Sequence, residues 1–288
     1  MSAVTVVIAT RDRCDELLRT LDHLHRLPER PAVTVVDNGS TDGTPERVAA
    51  DFPAVTLLAL DENRGAAART IGVARASSAV VAFSDDDSWW APGSLSVASQ
   101  LFTRHPSLGL IAGRILVGAD QRADPISLQM AASPLTIDRD LPGVPILGFA
   151  ACGAIVRRRA FLETGGFGAS PIGGEEALLA IDMAGRGWDL AYVEDVVAHH
   201  HPSTARDRPA RERELILADL RTAWLRRPLR HAAAETLAHA RDIRHAPTRA
   251  ALYTLLRQSL SIARRRRPVD PAVETRLRTL ERGPLLQR

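Results

Sequence analysis

Three consecutive aspartates come one residue after an apolar run, and this junction constrains the fold more than any other part of the sequence. The run is Ala79–Phe83, and the aspartates are Asp85, Asp86 and Asp87. A short apolar run bounded by polar residues predicts a buried strand, and open α/β sheets bind ligands at the carboxyl ends of their strands. Three like charges on one turn repel each other unless a cation neutralises them, and divalent cations take carboxylate oxygens. The junction therefore predicts an α/β sheet with a metal and phosphate site at its edge.

Two more predicted strands end in polar residues. The β-branched run 32–36 is followed by Asp37 and a glycine-containing turn, and the run 4–9 is followed by the polar segment Thr10–Arg13. Because right-handed crossovers put the carboxyl ends of parallel strands at one edge, we expect all three polar segments to line a single crevice. The alternative for the aspartates is a turn that caps the helix predicted near Pro92. Such a cap needs one aspartate and leaves the other two unexplained.

A series of segments resembles those of the inverting family 2 glycosyltransferases, which have the glycosyltransferase-A fold and use nucleotide-diphosphate sugars. The segments are Val6–Arg13, Val35–Thr44, Asn63–Arg69, Phe83–Asp87, Ala151–Phe161, Gly165–Phe167 and Gly173–Glu176. Their order and spacing are those of the family, which makes the match far more specific than any one of the motifs. The resemblance spans about residues 3–203.

The resemblance implies a Rossmann-like α/β fold in which a mostly parallel central sheet is flanked by helices. We expect a catalytic domain at residues 1–205, with a donor half at about 1–117 and an acceptor half at about 118–205. Residues 206–288 are predicted to form a basic helical C-terminal extension, because they hold 20 arginines and 9 acidic residues, whereas residues 1–205 hold 17 and 25. Prolines divide this extension into about four helices. They are Pro209, Pro228, Pro247 and Pro268.

The candidate metal ligands come from the aspartate triplet and from a histidine run. By resemblance, Asp87 and His200 contact a bound Mg²⁺ or Mn²⁺ ion, which neutralises charge on the departing diphosphate. Asp85 is implied to lie nearer the ribose, and Asp86 to support either role. Neighbouring residues of a strand point to opposite faces, so a slip of one residue would select another member of the run His199–His201. The alternative is a strand end that carries solvent-exposed imidazoles.

The nucleotide is expected at the ends of the first two strands. Similar enzymes hold a pyrimidine base there, so UDP-sugars and dTDP-sugars are the implied donors. The residues that match the nucleotide and diphosphate sites are Thr10, Arg11, Asp37, Asn38, Arg64 and Arg69. Arginine forks and free backbone amides at a helix start both suit a diphosphate. Thr70 stands where the family usually has asparagine, and the glycines near Asp37 fit an ordinary turn equally well.

An acidic pair supplies the candidates for the catalytic base. Inversion requires one carboxylate to remove the acceptor proton while the acceptor oxygen attacks opposite the leaving diphosphate. The second residue of the family's acidic pair, usually aspartate, is the base, so the resemblance assigns this role to Glu176, with Glu175 as the second candidate. Alternatively, the pair only complements the dipole of the helix that it begins.

These residues together predict an inverting transferase that moves a sugar from a nucleotide-diphosphate donor to a hydroxyl group by metal-assisted direct displacement. The alternative is a catalytically inactive sensor or scaffold that binds sugar nucleotides, but candidates for both the base and the metal ligand are present. A nucleotidyltransferase typically has a glycine-rich phosphate loop with a lysine, and this chain contains no lysine. The basic extension has few aromatic residues for base stacking, so no nucleic-acid partner is predicted.

The sequence restricts the acceptor and the cellular location to broad classes. A glycan, a lipid-linked saccharide and a small natural product are all compatible acceptors. Cys14 and Cys152 fit no disulfide or zinc pattern, and no stretch reaches the roughly 18 apolar residues of a membrane span, so a cytoplasmic protein is expected. The extension carries the run Arg264–Arg267 and several apolar helix faces, and three kinds of surface could contact them. These are a membrane surface, a second subunit and the acidic catalytic domain.

Overall fold

A computed structural model of the protein describes residues 3–168, 174–202 and 208–282, and its central feature is a ten-stranded sheet. In chain order the strands are β1 (Val4–Thr10), β2 (Ala32–Asp37), β3 (Thr56–Ala59), β4 (Val80–Ser84), β5 (Ser88–Trp90), β6 (Leu108–Val117), β7 (Arg122–Ala123), β8 (Val144–Pro145), β9 (Ala154–Arg157) and β10 (Asp189–His200). Their order across the sheet is β3-β2-β1-β4-β9-β6-β10-β5, with β7 beside β6 and β8 beside β10. Gly173 and the predicted domain boundary after residue 205 lie outside the described residues.

The long strands that carry polar ends run in the same direction. β1 is parallel to β2 and β4, and β6 is parallel to β10, whereas β9 is antiparallel to both of its neighbours, β4 and β6. Of these strands, only β9, which lies between β4 and β6, runs in the reverse direction. The same edge of the sheet therefore holds the carboxyl ends of the five strands β1, β2, β4, β6 and β10. Thr10 of β1 pairs there with Asp37 of β2. The predicted α/β sheet is confirmed, and the three polar segments lie along one edge of it.

Helices cover both faces of the sheet. Before β10 they are α1 (Cys14–His25), α2 (Thr44–Asp51), α3 (Ala67–Arg75), α4 (Ser94–Arg104), α5 (Pro125–Ala131), α6 (Arg158–Glu163) and α7 (Glu175–Gly185). Alternate residues of β1 serve opposite faces: Ile8 belongs to an apolar cluster with α1 and α4, whereas Val7 belongs to a cluster with α3, α6 and α7. The loops at the sheet edge therefore leave from strands that are fixed by packing on both sides.

Five further helices follow the sheet in residues 208–282. They are α8 (Arg208–Arg226), α9 (Leu229–Ala240), α10 (Ala246–Arg257), α11 (Ser259–Arg265) and α12 (Pro271–Glu281). The prolines predict about four helices, and the additional boundary falls at Gln258, where α10 ends and α11 begins without a proline. Leucines of α8 and α10 form an apolar cluster of their own with Ile262 of α11. Val273 of α12 instead packs into the cluster of α3, α6 and α7.

Ion pairs join the extension to itself and to the catalytic region. Arg227, the residue after α8, contacts Glu274 and Glu281 of α12, with an N–O distance of 2.6 Å to each. Arg226 donates through Nε and Nη2 to the carboxylate of Asp182 in α7. Arg227 and Glu274 are both buried, and removing one partner of a buried pair costs about 3–5 kcal/mol. Within the described part of the chain, no helix is long and apolar enough to cross a membrane.

Candidate functional site

The turn after β4 gives its three aspartates different surroundings. The backbone amide of Asp85 donates to Oγ of Ser88 at 2.7 Å, which fixes the start of the turn. Asp86 and Asp87 are buried, whereas the Asp85 side chain is 32% exposed. Their contacts, described below, direct Asp85 toward α3, Asp86 toward β1 and Asp87 toward β10. The triplet therefore connects three elements of the fold at a single edge.

Asp86 is held by the end of β1. Oγ1 of Thr10 donates to Oδ2 of Asp86 at 3.1 Å, and Nε of Arg13 lies 2.7 Å from Oδ1. The backbone carbonyl of Asp86 accepts from the hydroxyl of Thr20 in α1 at 2.8 Å. Burial raises the pKa of Asp86 to about 6, with the charge of Arg13 opposing it and the neighbouring aspartates adding to it. These contacts fix the acidic turn against β1 and α1.

Asp85, Asp87 and His200 have the composition of a divalent-cation site. One ligand atom from each lies within 4.8 Å of the others. Nε2 of His200 lies 3.3 Å from Oδ1 of Asp87. This nitrogen is buried and makes no hydrogen bond to the described residues. Oδ2 of Asp87 lies 2.7 Å from Nη2 of Arg13. Carboxylate oxygens suit Mg²⁺ and Mn²⁺, and an imidazole suits transition metals, so these residues fit the implied ion.

Strand alternation separates the three histidines at the end of β10. His200 turns toward Asp87. The rings of His199 and His201 lie on the other face, with centroids 5.9 and 4.8 Å from that of Trp89. His200 is therefore the histidine of the run whose ring lies beside the Asp87 carboxylate, and its role as a metal ligand stays a prediction.

Helix α3 carries Arg69 to the same edge. Nη2 of Arg69 donates to Oδ1 of Asp85. Burial lowers the pKa of this guanidinium, but the carboxylates of Asp85 and Glu176 outweigh that effect and raise it. The helix lies close to the sheet because Gly72 has no side chain: a Cβ there would lie 2.5 Å from Cγ1 of Val7.

Two of the residues predicted to meet the nucleotide are engaged in the turn after β2. Asp37 is buried, and its carboxylate accepts from both the amide and the hydroxyl of Ser40. Oδ1 of Asn38 accepts from the backbone amide of Arg64 at 2.7 Å, and its Nδ2 donates to the carbonyl of Gly65 at 3.1 Å. These bonds join the end of β2 to the segment that precedes α3.

The remaining predicted nucleotide contacts are exposed arginines. The side chain of Arg11 is 48% exposed and lies beside Asp12, and that of Arg64 is 55% exposed and lies beside Glu62. The structure thus gathers Thr10, Asp37, Asn38, Arg69 and the aspartate triplet at one edge, and it places Arg11 and Arg64 at the solvent side of that edge.

The acidic pair begins α7. Burial raises the pKa of Glu175 to about 7, and the charge of Glu176 adds to the rise, whereas Arg221 and Arg69 oppose it. A carboxylate with a pKa near neutrality is suited to general base catalysis. The charge of Glu176 in turn raises the pKa of Arg69. Since Arg69 also donates to Asp85, it connects the acidic pair to the aspartate triplet.

Sequence reasoning misses two arginines of this region. Arg13 contacts both Asp86 and Asp87, and its position directly after the predicted first strand was the available signal. Arg221 lies in α8 and faces the start of α7, as described below. No local pattern points to Arg221, because its proximity to the site depends on how the extension packs.

Comparisons with known proteins identify related sequences. A family model described as Glycosyl transferase family 2 matches residues 5–165. Two curated relatives come from the CDC 1551 / Oshkosh and ATCC 25618 / H37Rv strains of Mycobacterium tuberculosis, and each is an N-acetylglucosaminyl-diphospho-decaprenol L-rhamnosyltransferase. Each is 30% identical over 268 residues, which cover 78% of this chain and 87% of the relative.

Solved structures with a similar fold include two proteins with bound sugar nucleotides. The mannosyltransferase PcManGT from Pyrobaculum calidifontis, in complex with GDP-Man and Mn²⁺, has a TM-score of 0.61 and 21% identity, covering 96% of this chain and 79% of its own. S. aureus TarS 1–349, in complex with UDP-GlcNAc, has a TM-score of 0.58 and 17% identity, covering 96% of this chain and 91% of its own. At these identities the likeness shows the fold, and the predicted glycosyltransferase-A architecture is confirmed.

Proposed function

This chain belongs to glycosyl transferase family 2, and from that premise we propose that it transfers a sugar, with inversion, from a pyrimidine nucleoside diphosphate to an acceptor hydroxyl. The observation that carries the proposal is the cluster of Asp85, Asp87 and His200 at the carboxyl edge of the sheet. This edge is where a sheet of this type binds its ligand.

Asp87 and His200 are the proposed ligands of Mg²⁺ or Mn²⁺, and Asp85, expected from the resemblance to lie nearer the ribose, is close enough to both to be a third ligand. When bound, the ion would neutralise charge that builds on the departing diphosphate. Arg13 and Arg69 hold the two carboxylates in place from opposite sides, through Asp87 and Asp85 respectively. The buried Nε2 of His200, which has no hydrogen bond among the described residues, supports this assignment because a buried polar atom requires a partner.

The nucleotide is proposed to lie across the ends of β1 and β2. Thr10, Asp37 and Asn38 form the floor of this site, and the two exposed side chains of Arg11 and Arg64 are positioned to turn toward a bound ligand. The bonds of Asp37 to Ser40 orient its carboxylate, and each of its oxygens retains a second lone pair for the N3 proton of a pyrimidine.

Glu176 is proposed as the base that removes the acceptor proton, with Glu175 as the second candidate. Both begin α7, beside the Arg69 guanidinium that contacts Asp85. Proton removal at this position would accompany attack of the acceptor oxygen from the side opposite the diphosphate, which gives inversion without a covalent intermediate.

The acceptor is proposed to be a hydroxyl of a lipid-linked saccharide. The support is the name of the relatives from Mycobacterium tuberculosis, whose acceptor is an N-acetylglucosaminyl-diphospho-decaprenol. The extension also presents features suited to an anionic membrane surface. Leu256 and Leu260 are 71% and 74% exposed, and Arg264 and Arg265 follow them on the surface. Apolar contact combined with arginines is the chemistry by which helices lie on anionic bilayers.

The proposal is tested by isothermal titration of the purified protein with uridine, thymidine and guanosine diphosphates, each with and without Mn²⁺. We expect Mn²⁺-dependent binding of a pyrimidine diphosphate, weakened about tenfold or more by Asp87→Ala because a metal ligand is lost. Asp51→Ala, which removes an exposed carboxylate of α2, is the matched control and should bind like the wild type. Absence of binding by every diphosphate in a folded sample would contradict the proposal, and binding of guanosine diphosphate alone would contradict the pyrimidine donor.

A further inference from the structure

Helix α8 brings a buried arginine to the start of α7, where the acidic pair lies. A Cβ at Gly174, the residue before Glu175, would lie 2.7 Å from Cβ of Ala218 in α8. Arg221 is three residues further along α8, and residues separated by three lie on the same face of a helix. Leu178 of α7 packs on the apolar cluster of α8, so the two helices are in direct contact on this side.

Arg221 is buried without a hydrogen-bonded partner among the described residues. The residue is only 7% exposed, and its side chain makes no hydrogen bond or ion pair of 4.0 Å or less with the described residues. A buried cation without a hydrogen-bonded counterion is strongly unfavourable. The charge of Glu175 stabilises that of Arg221, yet burial raises the pKa of Glu175 to about 7, so this carboxyl group is only partly ionised at neutral pH.

A second guanidinium approaches the same place from α11. Arg265 is exposed at the end of that helix, and a Cβ at Gly168 would lie 3.8 Å from its Nη2. Burial lowers the pKa of Arg221 and the charge of Glu175 opposes this, while the charge of Arg265 lowers the pKa again, so the two cations are near enough to repel each other. In the described residues Arg265 also has no hydrogen bond or ion pair. Two adjacent guanidinium groups that make no hydrogen bond to a carboxylate among the described residues are suited to a ligand that carries more than one negative oxygen.

The acidic pair lies between this arginine pair and the donor side of the site. Arg69, which contacts Asp85, interacts with both Glu176 and Glu175, whereas Arg221 interacts with Glu175. In an inverting transfer the acceptor approaches from the side opposite the departing diphosphate, so a cationic group beyond the base faces the acceptor.

We propose that Arg221 and Arg265 form a binding site for a phosphate or diphosphate group of the acceptor. The inference rests on the proposed function, since it names the acceptor as a phosphoryl-bearing molecule whose charge is recognised by the C-terminal extension. The buried guanidinium of Arg221 would donate to phosphate oxygens, and Arg265 would close the site from its solvent side. The extension would thereby complete the acceptor half of the catalytic site.

The experiment is a calorimetric titration of the full chain in the presence of a metal chelator, with inorganic pyrophosphate and with farnesyl diphosphate as probes and farnesol as the uncharged control. We expect both diphosphates to bind and farnesol to bind more weakly. Arg221→Gln and Arg265→Gln should each weaken diphosphate binding by about tenfold to a hundredfold, because charge-assisted hydrogen bonds are lost. Arg257→Gln, which changes an exposed arginine at the end of α10, is the matched control and should leave diphosphate binding unchanged. If pyrophosphate binds as tightly as farnesyl diphosphate, the site recognises the phosphate alone; tighter binding of farnesyl diphosphate would indicate a lipid-linked group.

A second titration separates this inference from the proposed function. Uridine and thymidine diphosphates are added with Mn²⁺, and we expect Arg221→Gln and Arg265→Gln to bind them like the wild type. Unchanged pyrophosphate binding in both variants, or none in the wild type, would overturn the acceptor site while leaving the donor site intact. An equal loss of nucleotide and pyrophosphate binding would place the arginines in the donor site and would also overturn it. Because Arg265 is exposed, its variant remains informative if Arg221→Gln does not fold.

Discussion

Glu175 and Glu176 are neighbours in the sequence and both interact with Arg69, but Glu175 also interacts with Arg221 of the extension. Glu175 faces Arg221 of the extension as well as Arg69, whereas Glu176 acts on Arg69 beside the aspartates. Replacing either by glutamine keeps the shape and removes the proton acceptor. We expect Glu176→Gln to lower kcat by about a hundredfold or more with the donor KM little changed, because general base catalysis is lost. Steady-state kinetics of both variants will show which residue is the base, and a larger loss in Glu175→Gln would reverse the assignment.

The raised pKa of Glu175 also affects stability. This group loses its proton near pH 4.5 when exposed and near pH 7 in the fold, so between these values the folded state binds more protons than the unfolded state. The free energy of unfolding therefore falls as pH rises through this window. Glu175→Gln lacks this penalty, and we expect it to gain about 1–2 kcal/mol over the wild type between about pH 5 and pH 8, after allowance for solvent exposure. Urea unfolding of both proteins at the two pH values measures this gain in the free energy of unfolding. If the variant and the wild type differed by the same amount at both pH values, the raised pKa of Glu175 would be contradicted.

At the residue scale, sequence reasoning finds most of the candidate site and misses what depends on packing. The strand period of two explains why the imidazole of His200, and not those of the adjacent histidines, contacts the carboxylate of Asp87. Sequence alone could not choose among them because a shift of one residue exchanges the faces. Arg13 was within reach of prediction, since it follows the first strand. Arg221 was not, because its neighbours are set by the contact between α7 and α8.

At the scale of elements, α3 positions Arg69 through its close approach to the sheet. A Cβ at Gly72 would lie 2.5 Å from Cγ1 of Val7 and 3.1 Å from Cγ2 of Val36. We expect Gly72→Ala to lower the free energy of unfolding by about 1–3 kcal/mol through overpacking, despite the better helix propensity of alanine. Gly185→Ala at the end of α7 is the control, because its Cβ would meet no described atom within 4 Å. Chemical denaturation of both variants tests this, and a stable Gly72→Ala would show that α3 can move away without loss.

The strands of the catalytic region were predictable because short apolar runs ended in recognisable polar turns. The helices of the extension were less so. Prolines begin or precede several of them, but α10 and α11 divide at Gln258, where no proline or glycine marks the break. The packing of α12 could not be predicted from local sequence patterns either. Val273 is buried in the cluster of α3, α6 and α7, which are distant from it in the sequence.

At the scale of the whole molecule, the charges divide the chain into an acidic catalytic region and a basic extension. Part of the arginine run is structural, since Arg266 donates to the carbonyls of Trp224 and Arg227. Arg264, Arg265 and Arg267 stay exposed, and apolar side chains line a cleft of about 590 Å³ between α8, α9, α10 and α11. The extension therefore combines apolar and cationic surface on one set of helices.

We expect the protein to bind vesicles that contain phosphatidylglycerol and not to bind vesicles of phosphatidylcholine alone. Each arginine near an anionic surface contributes about 1 kcal/mol to the free energy of binding. Replacing Leu256 and Leu260 by serine should weaken this binding, whereas Leu128→Ser, an exposed leucine of α5, should not. Co-sedimentation measures the bound fraction. Equal binding to both kinds of vesicle, or to neither, would rule out the anionic surface as the partner of the extension.

The ring of Trp89 provides an optical reporter for the edge of the sheet. It stacks on the imidazole of His23 at 3.9 Å with the planes 1° apart, while His199 and His201 approach from β10. Burial lowers the pKa of both His23 and His199, which favours the neutral form of the two imidazoles beside the indole. Because Trp89 lies two residues from Asp87, fluorescence can follow events at the carboxylates without any attached dye.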